Sequence, residues 1–112
     1  MKKVLTVPIY DITIQLQVTK NFKQAVRKDG YHNPIEGGAV VLSYPEHPRT
    51  FSVIFERGCT SPGTIAHEAH HLTKKIMDLL DLIDTPINQE TGAYLLGFIV
   101  DLLHQAIFEA RN

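Results

Sequence analysis

Cysteine, tryptophan and long apolar runs are scarce in this sequence. Its 112 residues include one cysteine, Cys59, and no tryptophan. A single cysteine cannot form an intramolecular disulfide, so a disulfide scaffold is excluded and a reducing compartment is expected. No stretch approaches the ~18 uninterrupted apolar residues that predict a transmembrane helix. The N-terminus begins like a signal peptide, but Asp11 and alternating polar residues interrupt its apolar segment, and we therefore expect a cytoplasmic protein.

An excess of charge of either sign is also missing. The chain has 11 Lys and Arg against 12 Asp and Glu, a formal net charge of −1, with no block of like charges. This balance gives no reason to expect nucleic acid or a membrane as partner. The length predicts one domain, residues 1–112, with a real but shallow core. The oligomeric state is left open.

The first half of the chain has the patterns of β-strands. Apolar and polar residues alternate over residues 12–18, which predicts a half-buried strand. Pro8 separates it from a short first segment at residues 4–7, because proline cannot donate to a sheet ladder. Two further β-rich runs, residues 39–44 and 50–56, are joined by a turn containing two prolines and predict a hairpin.

Two long helices are expected in the second half. Ser61 can cap the first, and Pro62 suits its first position. Residues 84–86, Asp-Thr-Pro, break this helix, and a second follows over about Asn88–Ala110. The first helix carries apolar residues at spacings of three and four, namely Ile65, Ala69, Leu72, Ile76, Leu79 and Ile83.

A short helix completes the expected elements. Asn21 is placed to cap it, Asp29 and the glycine after it end it, and residues 31–38 form a loop. Strands followed by helices predict an α+β fold. We expect a small antiparallel or mixed sheet with the short helix over residues 1–60, and two metal-site helices over residues 61–112.

The first long helix carries the sequence His-Glu-Ala-His-His at residues 67–71. His67 and His71 are one turn apart on one face, the spacing that two imidazoles need to reach one tetrahedral zinc at about 2.0–2.1 Å. Glu68 lies about 100° around the helix. There a carboxylate can take a proton from a water at the metal and pass it to a leaving amine. The motif H-E-x-x-H therefore predicts Zn²⁺ with its general base.

The helical wheel separates these histidines from the apolar face. Taking Ile65 as zero, His67 and His71 fall near 200° and 240°, and His70 near 140°. Two interpretations follow: a solvated polar face that carries histidines by accident, or a face that lines a cleft and binds metal. The fit of the motif favours the metal. His70 is expected at the surface or beside the ligands.

A catalytic zinc usually has a third protein ligand, and Glu90 is the first candidate. It follows His71 after 18 intervening residues. If the first helix keeps its full predicted length, a tight turn would place Asp101 or His104 level with His71 instead. For Glu90 to reach the metal, the chain must leave the helix near Leu80 and return in extended form.

The second helix adds a stripe of polar or small residues on an otherwise apolar sequence. We expect this stripe to be buried and to face the metal site, since buried polar groups need partners. Tyr94 could then donate to an oxyanion, or could simply pack in the core. Gly92 and Gly97 are expected to allow close packing of the helices. The stripe consists of Glu90, Tyr94, Gly97, Asp101 and His104.

These residues resemble two groups of known proteins. The pattern from His67 to Glu90 resembles the gluzincins, in which two histidines and a downstream glutamate bind zinc. Residues 90–97 also look like a segment of small phage and prophage proteins described as metallopeptidases. The resemblance covers residues 65–100. It implies a minimal zincin-like fold with His67, His71 and Glu90 as ligands and Glu68 as base.

One position departs from the thermolysin-type pattern, which has an aspartate four residues after the ligand glutamate. This chain has Tyr94 there. The residue that would orient a ligand histidine is therefore unassigned. Asp101 is a candidate substitute, but it lies about 16 Å along the helix from Glu90.

The leading hypothesis is a zinc metallopeptidase acting on a peptide or protein substrate, with residues 50–56 as the edge strand that a peptide pairs with. The alternative is a non-enzymatic interaction or regulatory protein with a structural or vestigial zinc, which a fourth ligand such as His70 or His104 would close. A third hypothesis is solvated histidines without metal.

Overall fold

A four-stranded mixed sheet lies at the centre of the fold. The computed structural model describes residues 1–33, 35, 37–82 and 85–111, apart from the side chains of residues 9, 87 and 111. The strands follow the order β1-β2-β4-β3, with β2 and β4 parallel and the other two pairs antiparallel. They are β1 Lys2–Val7, β2 Ile12–Thr19, β3 Ala39–Tyr44 and β4 His47–Glu56.

The predicted strands are present, with one correction of position. A short 3-10 helix, Pro8–Tyr10, separates β1 from β2, and β3 and β4 form the expected hairpin. However, β4 pairs with β2 on one side and with β3 on the other, so residues 50–56 belong to an interior strand. The edge strand of this hairpin is β3. The continuous burial of residues 51–55 is typical of a strand covered on both faces.

Helix α1, Phe22–Lys28, covers one face of the sheet. Phe22, Ala25 and Val26 pack there against Leu42 and Ile54. The helix is where the sequence predicts it and ends at Asp29. Asn21 is at the predicted N-cap position, but the predicted side-chain hydrogen bond is absent. The Asn21 side chain makes no capping bond; its backbone N–H donates instead to Thr19 Oγ1 at 3.1 Å.

A polar cluster fixes the end of β3 to α1. The Tyr44 hydroxyl donates to the Asp29 carboxylate and shares a hydrogen bond with Ser52. Burial, with the nearby Asp29 carboxylate, raises the pKa of Tyr44 to about 12, so the phenol stays protonated. The cluster holds the edge strand in place from the face opposite the histidines.

Helix α2, Pro62–Leu79, packs on the other face of the sheet. The Ser61 hydroxyl accepts from the backbone N–H of Thr64 at 3.2 Å, as the sequence predicts. The helix ends at Leu79 and the chain turns at Leu80. The predicted continuation to Ile83 is therefore wrong: Asp81 has a left-handed backbone with a φ of 58°, and the backbone N–H of Leu82 donates back to the Met77 carbonyl, which closes the helix. Ile83 and the predicted break at Asp84 lie outside the described residues.

Helix α3, Pro86–Arg111, lies beside α2 on the same face. Thr85 caps it, since its hydroxyl accepts from the Asn88 N–H at 3.2 Å. The buried side of α3 consists of Leu95, Ile99, Leu103, Ala106 and Ile107, which join the main core with α2 and the sheet.

By length and composition alone α3 could cross a membrane. In the structure its inner side is instead part of the protein core. The described residues form a small α+β globule with α1 on one face of a mixed sheet and α2 with α3 on the other, which confirms the predicted fold class and is consistent with a soluble protein.

Candidate metal centre

Two histidines of α2 converge on one point. The Nε2 atoms of His67 and His71 are 3.1 Å apart, and the rings meet edge to face with centroids 4.7 Å apart. Two nitrogens bound to one tetrahedral zinc at about 2.0–2.1 Å lie about 3.3 Å from each other. The two rings therefore already have nearly the separation that ligands of a shared zinc require. Both histidines are exposed, and a metal can reach them directly from solvent.

Glu68 lies beside the pair but on the buried side of the helix. It is only 5% exposed, and its Oε2 is 3.8 Å from His67 Nε2. Burial raises the pKa of this carboxyl, and the two histidines partly oppose that rise. A carboxyl with a raised pKa beside a pair of metal-type nitrogens has the properties of a general base.

The histidine pair borders the edge of the sheet. Lys75, one turn after His71 on the same stripe of α2, donates to Ser43 of β3 at 3.4 Å. Among the described residues β3 pairs only with β4. One side of its backbone is consequently open, and an extended peptide could add to it. The sequence predicts residues 50–56 as the edge strand, but these residues belong to the interior strand β4, and the edge strand is β3.

The polar stripe of α3 does not face this site. Glu90, Tyr94, Gly97, Asp101 and His104 are all exposed, and Tyr94 is 75% exposed. The expectation of a buried stripe facing the metal is therefore wrong. In the part of the chain that the structure describes, no group of three or more His, Cys, Asp or Glu side chains is placed to hold a metal.

The rotation of α3, rather than the length of α2, separates Glu90 from the histidines. Helix α2 ends near Leu80, as Glu90 requires, but residues 86–90 are helical rather than extended, so the second condition is not met. A Cβ on Gly92 would lie 2.8 Å from the Met77 sulfur, so this part of α3 is beside Met77. Met77 is about 9 Å beyond His71 along α2. Glu90 is near that level and turned to solvent.

His70 also has a defined place. Its ring centroid is 6.1 Å from that of His71, at a tilt of 55°. It lines a groove of about 560 Å³ between α2 and α3, together with Thr73, Met77 and Leu96. It is thus a neighbour of the pair at the surface, on the side away from Lys75.

The burial of Glu68 is the feature that the sequence interpretation missed. On the helical wheel Glu68 lies about 60° from Ile65, on the apolar side of α2. Ile65 and Leu72, on this same side, are fully buried. The wheel position alone could have indicated that this carboxylate is enclosed while its neighbouring histidines are open.

Known proteins add nothing to this geometry. No family model, no curated protein and no solved structure matches the chain.

Proposed function

We propose that this protein is a zinc-dependent peptidase of the cytoplasm, with His67 and His71 as zinc ligands and Glu68 as general base. The observation that carries the proposal is the 3.1 Å separation of the two Nε2 atoms beside a buried carboxyl. Without a metal, the two nitrogens are within hydrogen-bonding distance, and one ring can donate to the other. Zinc would take the place of the shared proton with little movement of the rings, because two ligand nitrogens of a tetrahedral zinc are about 3.3 Å apart.

The chemistry follows from the donor set. When bound, zinc would polarise a peptide carbonyl and lower the pKa of a water beside it. Glu68 accepts the proton of that water and returns it to the leaving amine. Its burial favours this role, because the raised pKa allows the carboxyl to hold a proton between the two steps. The resemblance assigns the third ligand to Glu90, a role that requires the carboxylate to move from its exposed position.

The substrate is a peptide in extended form. Strand β3 lies next to the histidine stripe and offers backbone N–H and C=O groups along its open side. A peptide that pairs with β3 would carry its carbonyl groups past the ends of His67 and His71. Tyr94, Asp101 and His104 are on the outer side of α3 and take no part in this arrangement.

Glu68→Gln tests the enzyme. The wild-type protein should bind about one zinc per chain and cleave a mixed peptide pool. Glu68→Gln should keep the zinc and lose cleavage by a factor of about 10²–10⁴, the usual contribution of a general base. Glu109→Gln is the matched control, because this glutamate is exposed, pairs with Lys3 and lies far from the histidines in the fold. Zinc binding without hydrolysis by the wild type would contradict the peptidase and keep the metal site.

A second candidate is a non-enzymatic interaction or regulatory protein that carries zinc. The observation in its favour is that only two ligands are gathered among the described residues. Coordination distinguishes the two candidates. Spectra of a cobalt-substituted protein with two or three protein ligands and exchangeable water fit a peptidase, whereas four protein ligands fit a structural site.

A further inference from the structure

The carboxyl ends of β2 and β4 lie side by side at one end of the sheet. These two strands are the parallel pair, and Thr19 and Glu56 are their last residues in register. After β2 the chain continues into α1, on one face of the sheet, whereas after β4 it continues into α2, on the opposite face. Connections that diverge in this way leave a crevice between the two strand ends, and this is the position where ligands bind in open sheets of parallel strands.

A crevice of about 650 Å³ is present at this point. Its size is that of a small-molecule site, which has a typical volume of ~300–1,000 Å³. Lys20 and Arg57, the first residues beyond the two strands, line the crevice, and the backbone N–H of Arg57 donates to the Thr19 carbonyl at 2.9 Å. The two cationic side chains therefore begin from neighbouring points of the backbone, since paired strands are ~4.8 Å apart.

The positive charge of these two side chains is not balanced within the described part of the chain. Among the described residues, neither Lys20 nor Arg57 takes part in an ion pair or a side-chain hydrogen bond. Glu56 precedes Arg57 in the sequence, but its carboxylate lies on the side of β3, where its Oε2 is 3.2 Å from the position of a Cβ on Gly38. Two cations beside a concave surface favour an anionic ligand.

The opposite wall of the crevice is apolar. Ile107 and Ala110 of α3 line it, across from the two cations. The N–H fork of Arg57 and the ammonium group of Lys20 match the several oxygens of a phosphate group. The apolar wall matches an organic group attached to that phosphate, for which the volume of the crevice leaves room.

We propose that this crevice binds a small phosphate monoester, with the phosphate held by Lys20 and Arg57 and the organic group against α3. The site is separate from the zinc chemistry. No described residue that lines the crevice is a proposed zinc ligand or general base. His67 lies about 8 Å along α2 from the first residue of that helix. The proposal therefore stands or fails independently of the peptidase.

A structural role for the two cations is the competing explanation. The last turn of a helix carries a partial negative charge, and cations beside it stabilise the helix by about 0.3–1 kcal/mol. Ala110, in the last turn of α3, lines the crevice together with Lys20 and Arg57. If these side chains served only the end of α3, their removal would lower stability, and no phosphate compound would bind.

Titration of the full chain with phenyl phosphate tests the proposal. The protein is first freed of metal on a chelating resin, so that zinc cannot bind the anion. Phenyl phosphate should then shift the amide resonances of Thr19, Lys20, Arg57 and Gly58 saturably in ¹H–¹⁵N spectra. Inorganic phosphate should shift the same resonances with lower affinity, and phenol should not shift them. Equal affinity for phenyl phosphate and inorganic phosphate would overturn the assignment to a monoester.

Variants of the two cations locate the site. Arg57→Ala and Lys20→Ala should each weaken the binding of phenyl phosphate at least about tenfold, because each removes charged hydrogen-bond donors to the phosphate. Arg57→Lys should retain part of the affinity, since it keeps the charge without the fork. Arg27→Ala is the matched control, because it removes the same charge from an exposed arginine of α1; it should bind like the wild type.

Three results would overturn the proposal. The first is a wild-type spectrum that phenyl phosphate does not shift saturably. The second is an equal loss of affinity in Arg27→Ala and Arg57→Ala, which would indicate attraction by overall charge. The third is a lower melting temperature of Lys20→Ala and Arg57→Ala without phosphate binding by the wild type, which would assign the two cations to the end of α3.

Discussion

Helices α2 and α3 carry polar residues at similar spacings, yet only α2 brings them together. On α2, His67 and His71 meet with their Nε2 atoms 3.1 Å apart. On α3, Glu90, Asp101 and His104 all point to solvent. The difference teaches that a site within one helix depends on local geometry, which spacing determines. A site between helices depends also on the rotation of each helix about its axis, and the apolar residues that become buried determine that rotation.

The rotation of α3 can be tested through two adjacent residues. Ile99 is fully buried, and Ile99→Ala should lower the free energy of unfolding by about 2–5 kcal/mol through lost packing and a cavity. Phe98→Ala should cost clearly less in urea unfolding, because 45% of that side chain is exposed in the folded protein. Equal costs at the two positions would mean that α3 is rotated from the orientation described above, and that the stripe of Glu90 is buried after all.

The histidines provide the corresponding test on α2. His71→Ala should weaken zinc binding by about 100-fold or more, because one of two convergent ligands is lost. Competition with a fluorescent zinc chelator measures the change. His104→Ala is the matched control, since this histidine is exposed on α3 and has no partner histidine one turn away. Similar losses for both variants would contradict a site confined to α2.

Much of the fold follows from local sequence, and the reasons are visible in particular residues. The alternation over residues 12–18, the Ser61-Pro62 start of α2 and the hairpin are all local patterns, and each is present. The interior position of β4 is not local, because it depends on β4 pairing with β2 after the chain has passed through α1 and β3. A hairpin alone does not indicate which of its two strands will receive a further partner.

The N-caps of α2 and α3 offer a further comparison of the two helices, with smaller expected changes in the free energy of unfolding. Ser61 caps α2 and Thr85 caps α3 by the same bond to the third residue along, each before a proline. Ser61→Ala and Thr85→Ala should each lower the free energy of unfolding by about 1 kcal/mol. Ser61→Thr and Thr85→Ser, which keep the hydroxyl, should cost much less. A negligible loss at Thr85 alone would indicate that α3 begins later, near Asn88, as its apolar pattern predicts.

The candidate site also has one part that local sequence predicts and one part that it does not. The histidine pair could be predicted because H-E-x-x-H fixes two ligands and a carboxylate within five residues of one helix. The sequence does not predict the correct side for the stripe on α3, because α3 is apolar around most of its circumference and several rotations bury a comparable amount of it. Leu95, Ile99 and Leu103 face the core, and this choice turns Glu90 outward.

Glu90→Gln is expected to change zinc affinity the least of these variants, and it tests whether Glu90 is a ligand. In the arrangement described here, Glu90 is exposed near the level of Met77, about 9 Å along α2 from His71. Its replacement should therefore change zinc affinity by much less than the ~100-fold loss that removal of a ligand or its close support can cause. A loss as large as that of His71→Ala would mean that α3 turns when zinc binds and carries the Glu90 carboxylate to the histidines.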